Sequence, residues 1–323
     1  MYNKEKTIIV RYPAGKIETI FFIPDCVTSI GNNAFETCQN LNSVTIHNLM
    51  TNIGNNAFSK CNLTSVVIGN AVTNIGEYAF SHCYNLTSVT ISNSVINIGS
   101  GAFYSCYNLT SMIIPDAVTS IGDRAFSNCS GLTSIIIPNS VISIGNEAFS
   151  TCRNLTSVII GSSATNIGSW AFSNCSSLIS VTIAGFVTNI GEYAFCFCNN
   201  NLSITLLNPI PVNINSNVFL YVDIANCTLT VPASSVDAYK AAAVWKDFNI
   251  VGSTGIDNPL FADIKVHSSS AGIEVFNTPI GTSIEVYTIN GTFVTRTTET
   301  FITLSQTGIY IVKVGDFVTK VVK

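Results

Sequence analysis

A short, regularly recurring repeat is the feature that most constrains how this chain can fold. The dipeptide Ala-Phe occurs eight times in register, with its aromatic residue at Phe35, Phe58, Phe80, Phe103, Phe126, Phe149, Phe172 and Phe195. The numbering of these phenylalanines advances by the same increment each time, except that the step from Phe58 to Phe80 is one residue shorter. A unit this short cannot bury its own apolar face, so it must stack on copies of itself. The sequence therefore predicts a solenoid of eight stacked units over residues 26–208.

Each unit follows the pattern V-x-x-I-G-x-x-A-F-x-x-C-x-x-L-x-x-(V/I/M)-x-I. Apolar and polar residues alternate after the leucine, as in residues 132–137 (LTSIII), and this alternation is typical of a β-strand. We therefore expect each unit to add one short strand to a parallel sheet. The Ala-Phe pair is predicted to lie in the core. The recurring glycine, such as Gly122, is predicted either to adopt a positive φ or to allow close packing between coils.

The two ends of the array depart from the pattern, because an open stack would expose its last apolar face. Residues 7–25 are predicted to form a hairpin-like half repeat that ends in a strand at 19–23. After the array, residues 229–231 are predicted to form one more strand. A helix over residues 238–248, preceded by an N-cap within residues 234–237, is predicted to cover the last coil.

The C-terminal segment 262–323 differs from the repeats, because the cysteine and Ala-Phe signals are absent and short apolar-polar alternations replace them. Asn290-Gly291 lies between two such alternations and favours a type I′ hairpin turn. Six or seven short strands in this length predict a small β-sandwich. The predicted segments are a cap at 1–25, eight repeats at 26–208, a degenerate repeat with a helical cap at 209–252, a linker at 253–261 and the sandwich at 262–323.

Composition excludes several classes of function. Only 10% of residues are charged and the formal net charge is −4, so no basic face for nucleic acid is expected. No apolar run approaches the ~18 residues of a membrane-spanning helix. The first residues, MYNKEK, are not followed by an apolar signal segment. From composition alone, the protein is either cytoplasmic or has lost a leader.

The repeat closely resembles the BspA-type leucine-rich repeats of bacterial surface proteins. The match rests on the motif Ile121-Gly122-x-x-Ala125-Phe126-x-x-Cys129-x-x-Leu132-Thr133-Ser134 and its seven copies. Residues 11–16 (RYPAGK) and the segment 231–248 resemble the flanks of the same family. The predicted fold class is an α/β-solenoid dominated by β-structure, a right-handed leucine-rich-repeat solenoid with end caps, followed by a small all-β sandwich. The resemblance implies a non-enzymatic adhesion protein that contacts host matrix or surface proteins.

Residues 262–323 are similar to the C-terminal sandwich domains that sort proteins through type IX secretion. The similarity rests on the segments 284–291 (IEVYTING) and 307–314 (TGIYIVKV). It implies a protein that is secreted or attached to the outer cell surface, with its leader absent from this sequence.

Eleven cysteines raise the question of disulfides or a metal site. Most of them occupy one position, three residues after each repeat phenylalanine from Cys38 to Cys175, and Cys198 continues the series. A row of identical inward positions is predicted to be a row of small buried thiols. Cys196, Cys198 and Cys227 are the members that could pair. No zinc-ligand spacing is present, so no metal site and no cofactor are predicted.

No catalytic residues are predicted. The three histidines, His47, His82 and His267, lie far apart and none recurs in register with a nucleophile or carboxylate. Nucleotide-binding, hydrolase and metalloprotease motifs are absent. The sequence therefore favours a binding or structural protein over an enzyme.

Two sets of repeat positions are candidates for binding. The first is an outward row on the predicted strands, with the members Val67, Ile113, Ile136 and Ile159 beside Ser111, Ser134 and Ser157. Exposed contiguous apolar residues often mark interfaces, although β-propensity alone would also explain them. The second set lies on the turns and comprises Tyr78, Tyr84, Tyr104, Tyr107 and Trp170. Exposed rings at these positions would favour binding to glycans or mucins, whereas packing of the rings between coils would explain them without any ligand. A third interpretation is that the protein is an inert spacer.

Overall fold

Each repeat unit forms one coil of a solenoid, and each coil contributes two short strands rather than the one predicted. This architecture spans residues 8–253 in a computed structural model of the chain. The structure describes residues 2–184, 187–253, 265–268, 272–276, 284–288, 293–304, 309–314 and 317–322. All strand pairs of the solenoid within these ranges are parallel, as predicted, apart from one isolated bridge between Tyr2 and Ile9.

The additional strand of each coil lies just before the recurring glycine. Within the described ranges these strands form a parallel sheet of nine, termed here the long sheet. Its members are β1 (Ile8–Ile9), β3 (Ser29–Ile30), β5 (Asn52–Ile53), β7 (Asn74–Ile75), β9 (Asn97–Ile98), β11 (Ser120–Ile121), β13 (Ser143–Ile144), β15 (Asn166–Ile167) and β17 (Asn189–Ile190). Isoleucine pairs with isoleucine throughout, and all of these second-position isoleucines are buried.

The predicted strand, after the repeat leucine, builds the other side of each coil. Its outward side, which carries the serine column, is termed here the serine face. Five of these strands form one parallel sheet: β2 (Ile20–Phe22), β4 (Ser43–Thr45), β6 (Ser65–Val67), β8 (Ser88–Thr90) and β10 (Ser111–Met112). Six form a second: β12 (Ser134–Ile137), β14 (Ser157–Ile160), β16 (Ser180–Ile183), β18 (Ser203–Leu206), β19 (Thr228–Pro232) and β20 (Asn249–Ser253). No pairing between β10 and β12 occurs in the described residues, so the serine face is interrupted there.

Between the two sides lies a core built from columns of identical residues. Nine phenylalanine rings stack from Phe35 to Phe219, with centroids 4.9–5.5 Å apart and interplanar angles of 2–11°. The cysteine row predicted from the sequence is confirmed: from Cys38 to Cys198 the thiols are buried and free. From Cys61 onwards each Sγ of the row donates a hydrogen bond to the carbonyl oxygen of the phenylalanine in the preceding coil, as from Cys106 to Phe80 at 3.2 Å.

The recurring glycine allows close packing of coils, the second of the two roles predicted for it. None of the eight takes a positive φ. A Cβ added at Gly145 would lie 2.5 Å from the backbone nitrogen of Asp123 and 2.6 Å from the carbonyl carbon of Gly122. These are backbone atoms of the preceding coil, which cannot move without displacing the stack.

We therefore expect Gly145→Ala to destabilise the solenoid by about 2–3 kcal/mol, the upper range for overpacking. Urea unfolding followed by circular dichroism measures this loss. Gly15→Ala is the matched control, because a Cβ there meets no atom within 4 Å. Equal stability of the two variants would show that the coils are not held as closely as described.

The N-terminal segment is a partial coil, and the prediction of a hairpin over residues 7–25 is wrong. Strand β1 joins the long sheet while β2 joins the serine-face sheet, so the two strands lie in different sheets. The ring of Tyr12 stacks on Phe35 at 5.2 Å and thereby takes the place of a preceding phenylalanine. Pairing with the next coil outweighs the hairpin, because it buries Ile9 and turns Phe21 towards the core ring of Phe35.

The C-terminal cap contains the predicted extra strand, β19, but a shorter helix than predicted. Helix α1 covers Val236–Ala241, and Ser235 at its N-cap makes no side-chain capping bond. Ala242 is extended, and 3₁₀ turns lie at Ser216–Phe219, Ile224–Asn226, Ala233–Ser235 and Trp245–Asp247. The break lets the Trp245 indole donate to the Val212 carbonyl oxygen at 2.7 Å and pack edge-on against Phe219.

The C-terminal region forms small antiparallel sheets, as the sequence predicted. Among the described residues, three strands pair in one sheet: β21 (Lys265–Ser268), β22 (Gly272–Phe276) and β25 (Phe301–Thr303). Four pair in another: β23 (Ile284–Thr288), β24 (Phe293–Thr297), β26 (Ile309–Val314) and β27 (Phe317–Val322). Strands β23 and β24 are antiparallel, while the predicted turn at Asn290-Gly291 lies outside the described residues. The five segment boundaries stay predictions.

Candidate interaction surfaces of the solenoid

The apolar row predicted on the strands lies on the serine face and is exposed. The exposed fractions of Ile113, Ile136 and Val67 are 83%, 63% and 59%, while Ile159 is half-buried. Alternate residues of each strand face the core, so these side chains have no packing role inside the coil. Ile136 and Ile159 are direct partners in the β12–β14 ladder. Ile113 follows β10, at the interruption of the sheet.

The row is less continuous than its sequence suggests. Thr90 stands between Val67 and the isoleucines, because Val67 pairs with Thr90 in the neighbouring coil. At the other end Thr182 continues the row after Ile159 but is only 3% exposed. The apolar segment is therefore three coils long, with Ile113 and Ile136 exposed and Ile159 half-buried.

The serine column runs beside this row. Ser134 pairs with Ser157 across adjacent strands, and Ser111 pairs with Ser88. Ser111 and Ser134 are exposed and Ser157 is half-buried, so their hydroxyl groups border the isoleucine segment. The surface consequently combines uncharged apolar groups with short hydroxyl donors and acceptors.

Sequence reasoning missed two exposed members of the same face. Phe22 and Ile20 on β2 are 75% and 52% exposed, and Phe22 pairs with Thr45 in the row that leads to Val67. The sequence pattern assigned residues 7–25 to the N-terminal cap, whose apolar side chains are expected to be buried. Its alternation, with only Phe21 turned towards the Phe35 ring, is the signal that distinguishes the exposed from the packed residues.

The turn aromatics divide into separate groups. The rings of Tyr84 and Tyr107 stack at 5.2 Å with an interplanar angle of 5°, and Tyr104 lies edge-on to His82. Trp170 instead stacks on Tyr193, at 4.2 Å. A further stacked pair, Phe197 and Tyr221 at 4.4 Å, was not singled out from the sequence.

Tyr78 takes a different arrangement, because its ring covers the next coil at Gly101. A Cβ on Gly101 would lie 2.3 Å from the Tyr78 ring. The stacked rings of neighbouring coils cover one face of each other. Only the ring edges and the faces turned away from the partner ring are left for a ligand. The turn aromatics therefore serve coil-to-coil packing as well as the surface.

The ring of His82 lies edge-on to both Tyr84 and Tyr104. Burial lowers its pKa, and the positive charge of Lys60 adds to this effect. Its Nδ1 atom is buried without a hydrogen-bond partner among the described residues. In the same ranges, no three potential metal ligands come together, and no helix has the length and apolar character to cross a bilayer.

The repeats match the family described as BspA type leucine rich repeat region (6 copies), over residues 14–133 and 120–241. Together these matches cover well over half of the sequence. The chain belongs to this family. The BspA-type motif quoted above thus accounts for the buried Ala-Phe, cysteine and leucine columns and for the glycine at which successive coils pack closely.

Solved leucine-rich-repeat structures are similar to this BspA-type solenoid at low identity. The T. pallidum leucine rich repeat protein TpLRR is 24% identical, covering 61% of this chain and 85% of its own, with a TM-score of 0.45. A Bacteroides ovatus leucine-rich repeat protein is 22% identical, covering 73% and 83%, with a TM-score of 0.38. A Faecalibacterium prausnitzii leucine rich cell surface protein is 22% identical, covering 73% and 79%, with a TM-score of 0.30. No curated protein matches the sequence.

Proposed function

We propose that this BspA-type chain is a non-enzymatic cell-surface or secreted interaction protein that binds a partner protein through the serine face. The observation that carries the proposal is the outward apolar segment formed by Ile113, Ile136 and Ile159, because the exposed isoleucines Ile113 and Ile136 contribute nothing to the core. The partner class, host matrix or cell-surface proteins, comes from the family resemblance. The C-terminal sheets would serve to sort or anchor the solenoid at the outer surface.

The chemistry of the serine face suits a protein partner. Burial of one exposed isoleucine contributes roughly 1.5–3 kcal/mol, and three adjacent ones form the apolar centre that interfaces require. The bordering serines supply hydrogen bonds without the desolvation penalty of charged groups. The nearly constant step of about 5 Å between coils offers a regular surface for an extended partner.

We expect the triple variant Ile113→Ser, Ile136→Ser, Ile159→Ser to lose at least tenfold in affinity for matrix proteins. A solid-phase panel of matrix proteins and host glycans at physiological salt measures this, with the fold checked by circular dichroism. The matched control replaces Ile96, Ile142 and Ile179 by serine, since these are 44–55% exposed but lie outside the row. Equal binding by both triple variants would contradict the role of the serine face.

A second candidate is glycan or mucin binding by the turn aromatics, and the exposure of Tyr84 and Tyr107, 46% and 45%, favours it. In the coil after Tyr107, the positions equivalent to Tyr107 and Asn108 are held by the small residues Ser130 and Gly131. In the same panel, glycan binding that is lost on replacing Tyr104, Tyr107 and Trp170 would support this candidate. If neither matrix proteins nor glycans bind saturably, the interpretation as an inert spacer is the one that remains.

A further inference from the structure

The first strand of the serine face, β2 (Ile20–Phe22), forms an open sheet edge at the N-terminal end of the solenoid. Among the described residues it pairs with β4 alone, so its other side carries no strand. We propose that two copies of the chain associate through this β2 edge, with their β2 strands antiparallel, into a closed two-fold dimer. The β2 edge lies outside the segment formed by Ile113, Ile136 and Ile159, so the dimer and the function proposed above can be tested separately.

The β2 edge has unpaired backbone groups because no coil precedes it. In the next coil Ser43, which is in register with Ile20, donates its N–H to the carbonyl oxygen of Thr19 at 3.1 Å. Along a strand, successive residues direct their backbone groups to opposite neighbours. The N–H and C=O groups of Ile20 and Phe22 therefore face away from β4, and no described residue pairs with them.

The same stretch of chain is open to solvent. The side chains of Ile20 and Phe22 are 52% and 75% exposed, and that of Ile17, just before the strand, is 85% exposed. Glu18 and Thr19, which lie between them, are exposed as well. No segment among the described residues therefore packs over the β2 edge.

The chain protects the edge of the long sheet at this end, but not the β2 edge. At β1 the first residues fold back, so that Tyr2 forms an antiparallel bridge with Ile9. The exposed turn that follows Tyr2 and Asn3 is charged, at residues 4–6 (KEK). Residues 19–24 (TIFFIP), by contrast, contain no charged side chain. Natural sheet edges are normally covered or charged, so an uncovered and uncharged edge indicates a partner.

A second copy fits this edge because the strand is complementary to itself. Antiparallel pairing centred on Phe21 places Ile20 of each copy opposite Phe22 of the other, and both residues direct their backbone groups towards the partner strand. The outward side chains then form two pairs of an isoleucine beside a phenylalanine. Pairs of an aromatic and a β-branched side chain stabilise antiparallel strands. The dimer thus satisfies the free backbone groups and covers exposed apolar side chains at the same time.

The charged residues beside the strand suit the same register. Continued past the strand, this register places Asp25 of the second copy opposite Ile17, next to Lys16. The side chain of Lys16 is 40% exposed and Asp25 is exposed, so an ammonium group of one copy lies near a carboxylate of the other at both ends of the contact. Glu18 falls opposite Pro24 and meets no like charge. The register therefore combines an apolar centre with opposite charges at its ends.

Sedimentation of the intact chain over a wide range of concentrations tests the association. We expect a reversible monomer–dimer equilibrium, because the contact is small, and no larger species, because a two-fold contact closes on itself. Phe22→Lys places a charge in the contact and should raise the dissociation constant at least about tenfold. Ile113→Lys is the matched control, since Ile113 is 83% exposed on the same face but lies away from the β2 edge.

Three results would overturn the proposal. A parent chain that stays monomeric would leave the β2 edge to a strand of a different protein. A Phe22→Lys variant that dimerises as the parent does would exclude the β2 edge. Loss of the dimer in Ile113→Lys would place self-association on the apolar segment of the serine face instead.

A distance between spin labels tests the two-fold geometry. The label is attached at Ser65→Cys in a Cys26→Ser background, because Ser65 is exposed on β6 and the other cysteines are buried. Five strand spacings separate the two labels in the antiparallel dimer, so pulsed electron paramagnetic resonance should give about 25 Å. Head-to-tail association of the β20 edge with β2 of the next copy would instead separate them by the eleven strands of the serine face, roughly 50 Å. The longer distance would overturn the closed dimer.

Discussion

Raising the pH from 8 to 10 is expected to destabilise the solenoid strongly, because its buried cysteines cannot ionise in place. Burial raises the pKa of Cys83, Cys152 and Cys198 to about 12, and raises that of Cys106 and Cys129 well above its usual value. In the unfolded chain a thiol loses its proton near pH 8.5. Above that pH the unfolded state binds fewer protons than the folded state, so the free energy of unfolding falls as the pH rises.

The size of this effect follows from the gap between the two pKa values. At pH 10 each fully buried thiol removes about 2 kcal/mol, so three of them remove roughly 6 kcal/mol, much of the stability of a typical domain. Urea unfolding between pH 7 and 10.5 measures it. Below about pH 7.5 the thiols are protonated in both states, so no dependence of the stability on these groups is expected there.

Two controls identify the thiols as the cause. The double variant Cys83→Ala, Cys152→Ala should show a shallower fall of stability above pH 8.5 than the parent chain. In the native chain at pH 8, a thiol reagent should modify Cys26 alone, because it is the exposed cysteine of the described residues. A free energy of unfolding that stays constant up to pH 10.5 would contradict the burial of the cysteine row.

Replacement of Phe126 by alanine is the second change with a large expected effect. Its ring is 0% exposed and lies 5.3 Å from Phe103 and 5.1 Å from Phe149. Truncation removes a full aromatic side chain and leaves a cavity between two rings that are fixed by their own coils. A loss of about 3–5 kcal/mol in the free energy of unfolding is expected.

Urea unfolding combined with amide hydrogen exchange measures both the size and the location of this loss. Because each coil contacts only its neighbours, exchange should increase most in the coils of Phe103, Phe126 and Phe149. Ser130→Ala, in the same coil but half-buried at the surface, should change stability by less than about 0.5 kcal/mol. A loss below about 1 kcal/mol for Phe126→Ala would show that the stack is not the source of cohesion.

The core of this fold could be predicted from the sequence because every position is repeated eight times. The spacing alone identified the buried phenylalanine and cysteine columns, such as Phe126 and Cys129, and the strand after each leucine. Stacking of identical units forces equivalent residues into columns, so a periodicity in the chain becomes a periodicity in space. The exposed row at Ile113 and Ile136 followed from the same argument.

The features that were missed carry no secondary-structure signal of their own in the sequence. The long-sheet strands, such as Asn52–Ile53, are two residues long and too short to show alternation. Each coil also has two turn positions with φ of 53–63°, held by residues as different as Tyr78, Trp170 and His82. Pairing between coils imposes these conformations, so intrinsic preference gives no signal.

The constant advance from ring to ring gives the molecule the properties of a molecular ruler. Since each unit adds 4.9–5.5 Å and meets its neighbours through the same contacts, whole units can be gained or lost without a new kind of junction. Such a change leaves both capping ends intact and moves them apart in fixed increments. The number of units encoded in the gene therefore sets the distance between the ends, independently of the side chains that either end presents.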